Sequence, residues 1–497
     1  MAFLFWMSSL LCLIRLWLSL YGGLHPDEAY YWSWAQNLHL GYYDHPPLVA
    51  YIIRLGQEIF EVFWGSNYSG AKTQLFFSFR WLPDVLGYIL FPCLLGASIQ
   101  EYQRKNLSLS QVFGILSTPL ILFGAQIITP DLPLFIIWTA SFLVSLKMKR
   151  LLRKDLGPKH PTPFSLEYSL IVGILWALGG YSKYTAIFLP LLFIISGIGF
   201  WNLLVAGLTC LILFLPYLYW TIATALPNRM GIFYQLDRGT SLLGTSIHLN
   251  WVADLWASQL LLWSPLFCFD YLLRLRSKKL MSWSMGSWIF LPLIFFSITG
   301  LRNRPEANWP AMGGIALAIY VIARLGKRPI RMFWYTAFHY FLAIIALWGL
   351  LNQSFVGKLL TPFNKEIGEN LQHKVSRIEE FRGWQNLRNL LFEFTLIDKD
   401  QIVVEKYHLL SPLLFYDQSV NAEEKLKDRL KIDKVPNKSV SQFHFETSFS
   451  PNYSKNYWFL KKGEGNPPNK RCELRQSFVK ADPIGEPFTL YKCKAEN

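Results

Sequence analysis

The chain has 497 residues, of which 52% are hydrophobic, 16% aromatic and 16% charged. Soluble domains carry about 25% charged residues, so this composition, with its positive mean hydropathy, argues against a soluble enzyme and against disorder. Six cysteines are too few for a disulfide scaffold, and a formal charge of +15 would suit either nucleic acid or a membrane surface.

The positions of the charges decide between those two partners. Residues 1–351 hold 25 Lys and Arg against 14 Asp and Glu, in short loops between apolar runs. Residues 352–497 hold 23 and 19, with no run long enough to span a bilayer. The chain therefore divides near Leu351 into a multi-pass membrane domain, 1–351, and a soluble domain, 352–497. A span needs about 20 mostly apolar residues. Runs of this kind lie near 3–23, 76–98, 109–126, 132–146, 167–181, 185–199, 201–220, 252–273, 283–299, 309–323 and 332–351, which makes 11. The first run lacks a basic start, its first basic residue being Arg15, and lacks a small-residue cleavage site. It reads as a span and not as a cleaved signal. The 20 Trp suit such a chain, because Trp gathers at bilayer interfaces.

Alternate loops set the orientation. One set carries Arg104 and Lys105, then Lys147, Lys149, Arg150, Arg153, Lys154 and Lys159, then Arg274, Arg276, Lys278 and Lys279, then Arg324, Lys327, Arg328 and Arg331. These sixteen basic residues mark the cytoplasmic side. The N-terminus is then inside, and an odd number of spans puts 352–497 outside. The net charge becomes largely a topogenic signal, and a nucleic-acid partner loses its main support.

The loops on the opposite side hold the unusual residues. The first, about Leu24 to Gln74, contains HPDEAYYWSWAQNLHLGYYDHPPLVAY. Residues 28–38 and 47–63 have mixed faces and predict two interfacial helices. Asp27 is placed to cap the first of them. A cap alone does not explain why Asp27, Glu28, Asp44 and His45 gather beside a membrane wall. A partly desolvated carboxylate there suits a general base. The second loop, IITPDLP, pins Asp131 between two prolines. The third, GGYSKYTA, places Lys183 on the acidic side, where it can snorkel to headgroups or meet a phosphate. The fourth, about 221–251, includes Arg229, Asp237, Arg238 and His248 without a diagnostic pattern. The fifth, TGLRNRPEANWPA, gathers Arg302, Arg304, Glu306 and Asn308. Two guanidinium forks suit a phosphate or pyrophosphate; the plainer reading is an interface anchor around Trp309.

In this order the loops resemble the bacterial branch of the protein O-mannosyltransferase-like glycosyltransferases. These belong to the GT-C superfamily, which includes the lipid A aminoarabinose transferases. The matching stretches lie at 25–51, TPDLPLFIIWTASF at 129–142, GGYSKYTAIFLP at 179–190 and RPEANWPA at 304–311. Weaker echoes are FRWLP at 79–83, FRGWQNL at 381–387 and YHLLSPLLFY at 407–416. Asp84 departs from the pattern, since a small residue is expected there; inside a span it must be paired or functional.

With the apolar runs, the resemblance makes this an all-α polytopic GT-C fold with about 11 transmembrane helices, and the pattern of 352–497 adds a small C-terminal extracytoplasmic α/β domain. The resemblance implies an inverting transferase of a hexosyl or pentosyl group in a bacterial inner membrane, working at the outer face. The donor is a polyprenyl-phosphate-linked sugar; the acceptor is lipid A, a polysaccharide, a protein or another lipid. Asp27 and Glu28 are the catalytic pair, with Asp27 the acid that acts on the acceptor. Lys183, Arg302, Arg304, Glu306, Asp44, His45 and Asp131 bind substrate or phosphate. Some GT-C enzymes use a divalent metal, for which Asp27, Asp131 and His45 offer ligands of mixed hardness. The rival class is a transporter or lipid-linked-glycan flippase. Such proteins place sites near the midplane and often carry internal repeats. Here no repeat is found, and the unusual residues sit in loops, apart from Arg15 and Asp84. A membrane scaffold without catalysis is a third reading. In 352–497 the pattern predicts helix near 364–392 and strands at QIVVEKY and QFHFETSF.

Overall fold

The computed structural model describes residues 1–21, 23–65, 72–122, 124, 127–152, 163–235, 247–275, 283–351, 358, 383–420, 425–433, 441–463, 467–478 and 488–495. Each of the eleven apolar runs contributes helix. Among the described residues, four helices are long and apolar enough to cross a membrane: Lys72–Gln103, Asp131–Arg150, Phe200–Asn228 and Trp283–Gly300. A fifth results if Leu249–Trp263 and Pro265–Leu273, bent by 96°, form one span. Ala2–Leu18, Leu166–Ser182, Tyr184–Ile195 and Gly313–Leu325 are apolar but shorter.

Packing sorts the residues into two compact units. One holds Met1–Arg15, Leu38–Ile52 and Leu82–Ala343; the other holds Leu16–Asn37, Ile53–Trp81 and Ile344–Asn497.

The first unit is helical. Helix Gly313–Leu325 is buried along nearly its whole length. Its first two residues have no side chain because Ile289 and the Trp263 indole lie where a Cβ would stand. Helix Leu166–Ser182 packs on Phe200–Trp220, and at Gly173 an added Cβ would fall 2.5 Å from Thr209. Small residues at such contacts let helix backbones approach where no hydrophobic effect drives them together. The outer side of Phe200–Trp220 exposes Trp201, Ile212 and Tyr219, an apolar surface suited to lipid. The 96° bend falls at Ser264, whose φ of 79° lies in the left-handed region that non-glycine residues rarely adopt. The Ser264 hydroxyl meets His339 Nε2 at 2.6 Å, and His339 Nδ1 meets Ser117 Oγ at 3.3 Å. Asp84, the departure noted in the sequence, is buried and paired with Arg15 at 4.0 Å.

The second unit contains a five-stranded mixed sheet of order β2-β1-β3-β5-β4. The strands are β1 Gln401–Val404, β2 Leu430–Ile432, β3 Tyr457–Lys462, β4 Cys472–Phe478 and β5 Phe488–Cys493. β1 is parallel to β2 and β3, while β5 is antiparallel to β3 and β4. Helix Tyr407–Gln418 makes the crossover that a parallel β1–β2 pair requires. The predicted helix near 364–392 is seen as Trp384–Thr395; residues 364–382 lie outside the described residues. QIVV is a strand, but QFHFETSF is not. It forms two short 3-10 turns, Gln442–Phe445 and Thr447–Phe449. The alternation of Gln, Phe, His and Phe imitates a strand. The turn wins because His444 folds back and its Nδ1 accepts the Ser441 N–H at 3.0 Å. Burial lowers the His444 pKa below its ordinary value, which suits this neutral, accepting ring.

Composition gave no sign of a disulfide, yet Cys472 and Cys493, register partners on β4 and β5, are bonded. The other four cysteines, Cys12, Cys93, Cys210 and Cys268, are unpaired and lie in the first unit.

Candidate active site

The two helices predicted in the first loop are present as Pro26–Gln36 and Leu48–Trp64. Asp27 does not cap the first. His25 does: its Nδ1 accepts the Asp27 N–H at 3.2 Å, and Glu28 accepts the His25 N–H at 3.4 Å. This is a capping box with imidazole in place of a hydroxyl. Pro26 takes the first helical position, where no N–H is needed. The Asp27 carboxylate is thereby released from capping. It stands in the first turn, where the helix dipole favours an anion, and its side chain is 38% exposed. His25 Nδ1 lies 3.7 Å from one carboxylate oxygen, and His408 Nδ1 lies 3.7 Å from the other.

Glu28 has the opposite environment. Its side chain is 1% exposed and bonds Arg80 Nη2 at 2.6 Å. The same nitrogen donates to the Gly23 carbonyl at 3.0 Å. The Phe76 and Phe79 rings flank the guanidinium at 4.9 and 5.2 Å. Glu28 thus ties the helix start to helix Lys72–Val85, closed off from an incoming substrate. Helix Tyr407–Gln418 lies against Pro26–Gln36 in the same unit, with Phe415 edge-on to Trp32 at 5.0 Å and to Phe76 at 5.0 Å. Burial raises the Tyr416 hydroxyl pKa above its usual range; Arg80 opposes this shift.

A second cluster lies in the first unit. Lys183 Nζ donates to Asp131 Oδ1 at 2.6 Å, and Asn308 Nδ2 donates to Asp131 Oδ2 at 2.7 Å. The Ser182 hydroxyl bonds the Pro130 carbonyl at 2.8 Å. Three stretches singled out in the sequence, TPDLP, SKYTA and RPEANWPA, therefore meet here. Lys183 and Asp131 are 4% and 6% exposed, so the lysine is a buried partner of Asp131 and does not snorkel. Arg302, Arg304 and Glu306 are exposed on the turn that follows Trp283–Gly300.

Asp44 and His45 are half-buried in the same unit. Their backbone is held by Gln235, which donates to the Asp44 carbonyl at 2.9 Å, and by the Tyr42 N–H on the His45 carbonyl at 3.3 Å. Tyr43 sits in an aromatic cluster with Tyr217, Trp220 and Met230. Gly41 is required there, because a Cβ would stand 2.5 Å from the Trp220 ring. In the fourth loop, His248 stacks on Trp251 at 3.8 Å, while Asp237 and Arg238 lie outside the described residues.

The metal set expected from Asp27, Asp131 and His45 does not fit. Among the described residues no group of three or more His, Cys, Asp or Glu could hold an ion. Both oxygens of Asp131 are already taken by Lys183 and Asn308.

His408, Arg80 and the capping role of His25 were not read from the sequence. Arg80 and His408 fall in the weak echoes FRWLP and YHLLSPLLFY, which is the one signal that pointed near them. In the sequence Asn308 stands out only as a neighbour of the arginines.

No protein-family model matches the chain. A stretch of 33 residues is 58% identical to the lipid A galacturonosyltransferase RgtD of Rhizobium johnstonii, and the match spans 7% of the length of each chain. Among solved structures, ArnT from Cupriavidus metallidurans bound to undecaprenyl phosphate is similar over 97% of both chains, with 14% identity and a TM-score of 0.58. Its apo state is similar over the same share of both chains, with a TM-score of 0.56. The helical membrane-type region and the small C-terminal sheet thus share the fold of ArnT.

Proposed function

We propose that the chain is an integral-membrane glycosyltransferase of the GT-C type, with Asp27 as its general base. The observation that carries this reading is a contrast among three acids. Glu28 and Asp131 are closed in buried ion pairs, with side chains 1% and 8% exposed, while Asp27 is open at 38%. The fold shared with ArnT, solved with undecaprenyl phosphate, supports a polyprenyl-phosphate donor. The short stretch shared with a lipid A galacturonosyltransferase supports lipid A as acceptor.

A sugar on a lipid phosphate already carries its leaving group. Asp27 takes the proton from an acceptor hydroxyl or amine. The freed electron pair attacks the anomeric carbon, and the bond to the phosphate oxygen breaks with inversion. The leaving polyprenyl phosphate takes that bond's electrons, and Arg302 and Arg304 stabilise its charge. Glu28 and Arg80 hold the helix that carries Asp27. Asp131 and Lys183 hold their turns together, and Asp44, His45 and Glu306 are assigned to donor binding from the sequence pattern.

The reading is tested by reconstituting the purified chain with a labelled polyprenyl-phosphate sugar and lipid A. Label is expected on the acceptor. Movement of intact donor across the bilayer without transfer would give the chain to the flippases instead.

The proposed orientation places the C-terminal domain on the outside of a bacterial inner membrane. The Cys472–Cys493 bond supports this, because disulfides persist in oxidising compartments. Protein purified without reductant and then denatured should expose four reactive thiols, rising to six after reduction, as one disulfide among six cysteines requires. Six thiols before reduction would count against the outside placement.

A further inference from the structure

The Asp27 carboxylate lies between two imidazoles, and they are not equivalent. His25 Nδ1 accepts the Asp27 N–H at 3.2 Å. Its lone pair is committed to the backbone, so the ring proton sits on Nε2 and Nδ1 cannot donate to the carboxylate. His408 approaches the other oxygen, Oδ1, through its own Nδ1 at 3.7 Å. That separation is an ion-pair distance, longer than a hydrogen bond. Catalytic hydrogen bonds are often long before substrate binds and tighten in the reacting complex.

The position of His408 is built. It occupies the first turn of helix Tyr407–Gln418. The Tyr407 ring lies 3.9 Å from the His408 ring and 4.5 Å from the Tyr30 ring, on the helix that carries Asp27. The Tyr30 hydroxyl in turn accepts the Gln442 N–H at 2.8 Å. These residues belong to one compact unit.

Resting on the reading of Asp27 as the base, we propose that His408 is a positioning residue supplied by the C-terminal domain. Its Nδ1–H closes onto Oδ1 of Asp27 and turns the second oxygen toward the acceptor. The domain then takes part in turnover itself.

The test compares kcat and KM of the full chain with His408→Ala, His408→Asn and His408→Gln, each alone and with Asp27→Asn. The His408 side chain is 47% exposed, so truncation leaves no cavity. His408→Ala should lower kcat about tenfold or more, the worth of one hydrogen bond to a charged group. Donor KM should stay within about twofold, as for a contact made in the transition state. Asn puts an amide nitrogen near the Nδ1 position and should restore kcat to within roughly threefold, whereas Gln, reaching toward Nε2, should not. In the Asp27→Asn background His408→Ala should cost nothing further. A wild-type kcat for His408→Ala beside an impaired Asp27→Asn overturns this proposal alone. So does an equal loss in both backgrounds, which would mean that His408 does not act through Asp27. Asp27→Asn at the wild-type rate overturns the base assignment and this proposal with it.

Discussion

Lys183→Met should destabilise the protein by about 3–5 kcal/mol, the usual cost of removing one partner from a buried ion pair. Among the described residues, the Asp131 carboxylate left behind would keep the Asn308 side chain alone, in a site 6% exposed. Asp131→Leu should cost a similar amount by stranding the Lys183 ammonium. The double variant should recover much of the loss, because two apolar side chains of similar volume need no counter-charge. Equilibrium unfolding in detergent measures all three. The pattern separates the buried clamp seen in the structure from the phosphate role that the sequence suggested for Lys183. A lysine kept for donor phosphate would leave stability unchanged on substitution and weaken donor use alone. A single variant as stable as the parent would therefore remove the pair as the clamp between the TPDLP, SKYTA and RPEANWPA turns.

That pair also marks how far the sequence could be read. The apolar runs are local signals, and each contributes helix, though among the described residues four, or five with the bent pair, are long and apolar enough to cross a membrane. Asp27, Asp131, Lys183 and the arginine turn were each legible as unusual residues in outer loops. Their partners were not. Nothing in SKYTA says that its lysine meets the acid of TPDLP, and nothing in HPDEAYY says that Glu28 faces Arg80. Both are contacts between distant segments, set by packing. The cap was misread for a local reason: Asp is a common N-cap and His is not. Yet Pro26 fixes the first helical position and leaves His25 as the residue before it. The QFHF segment shows the same limit in reverse. Its period of two is real, but the Ser441–His444 bond closes a turn first. The sheet order, with β1 between β2 and β3, and the disulfide closing β4 on β5, depend on register that composition does not encode.

Asp27→Asn should lower the chemical step about 10²–10⁴-fold, the range for loss of a general base. The substitution is nearly isosteric. It keeps the backbone N–H that His25 accepts, so the cap survives. Glu28 and Arg80 remain paired beneath it, and the helix start should keep its place. The loss would then be chemical and not structural. Substitution at Glu28 should behave differently, lowering stability first, because its side chain is 1% exposed and closed onto Arg80.

Single-turnover transfer by the Asp27→Asn protein, with donor binding measured separately, tests the central claim most directly. Donor affinity near that of the parent with transfer slowed about 10²–10⁴-fold is the predicted result. Transfer at the parental rate would contradict the account, leaving Asp27 without a role in the chemistry and sending the search for the base to Asp44.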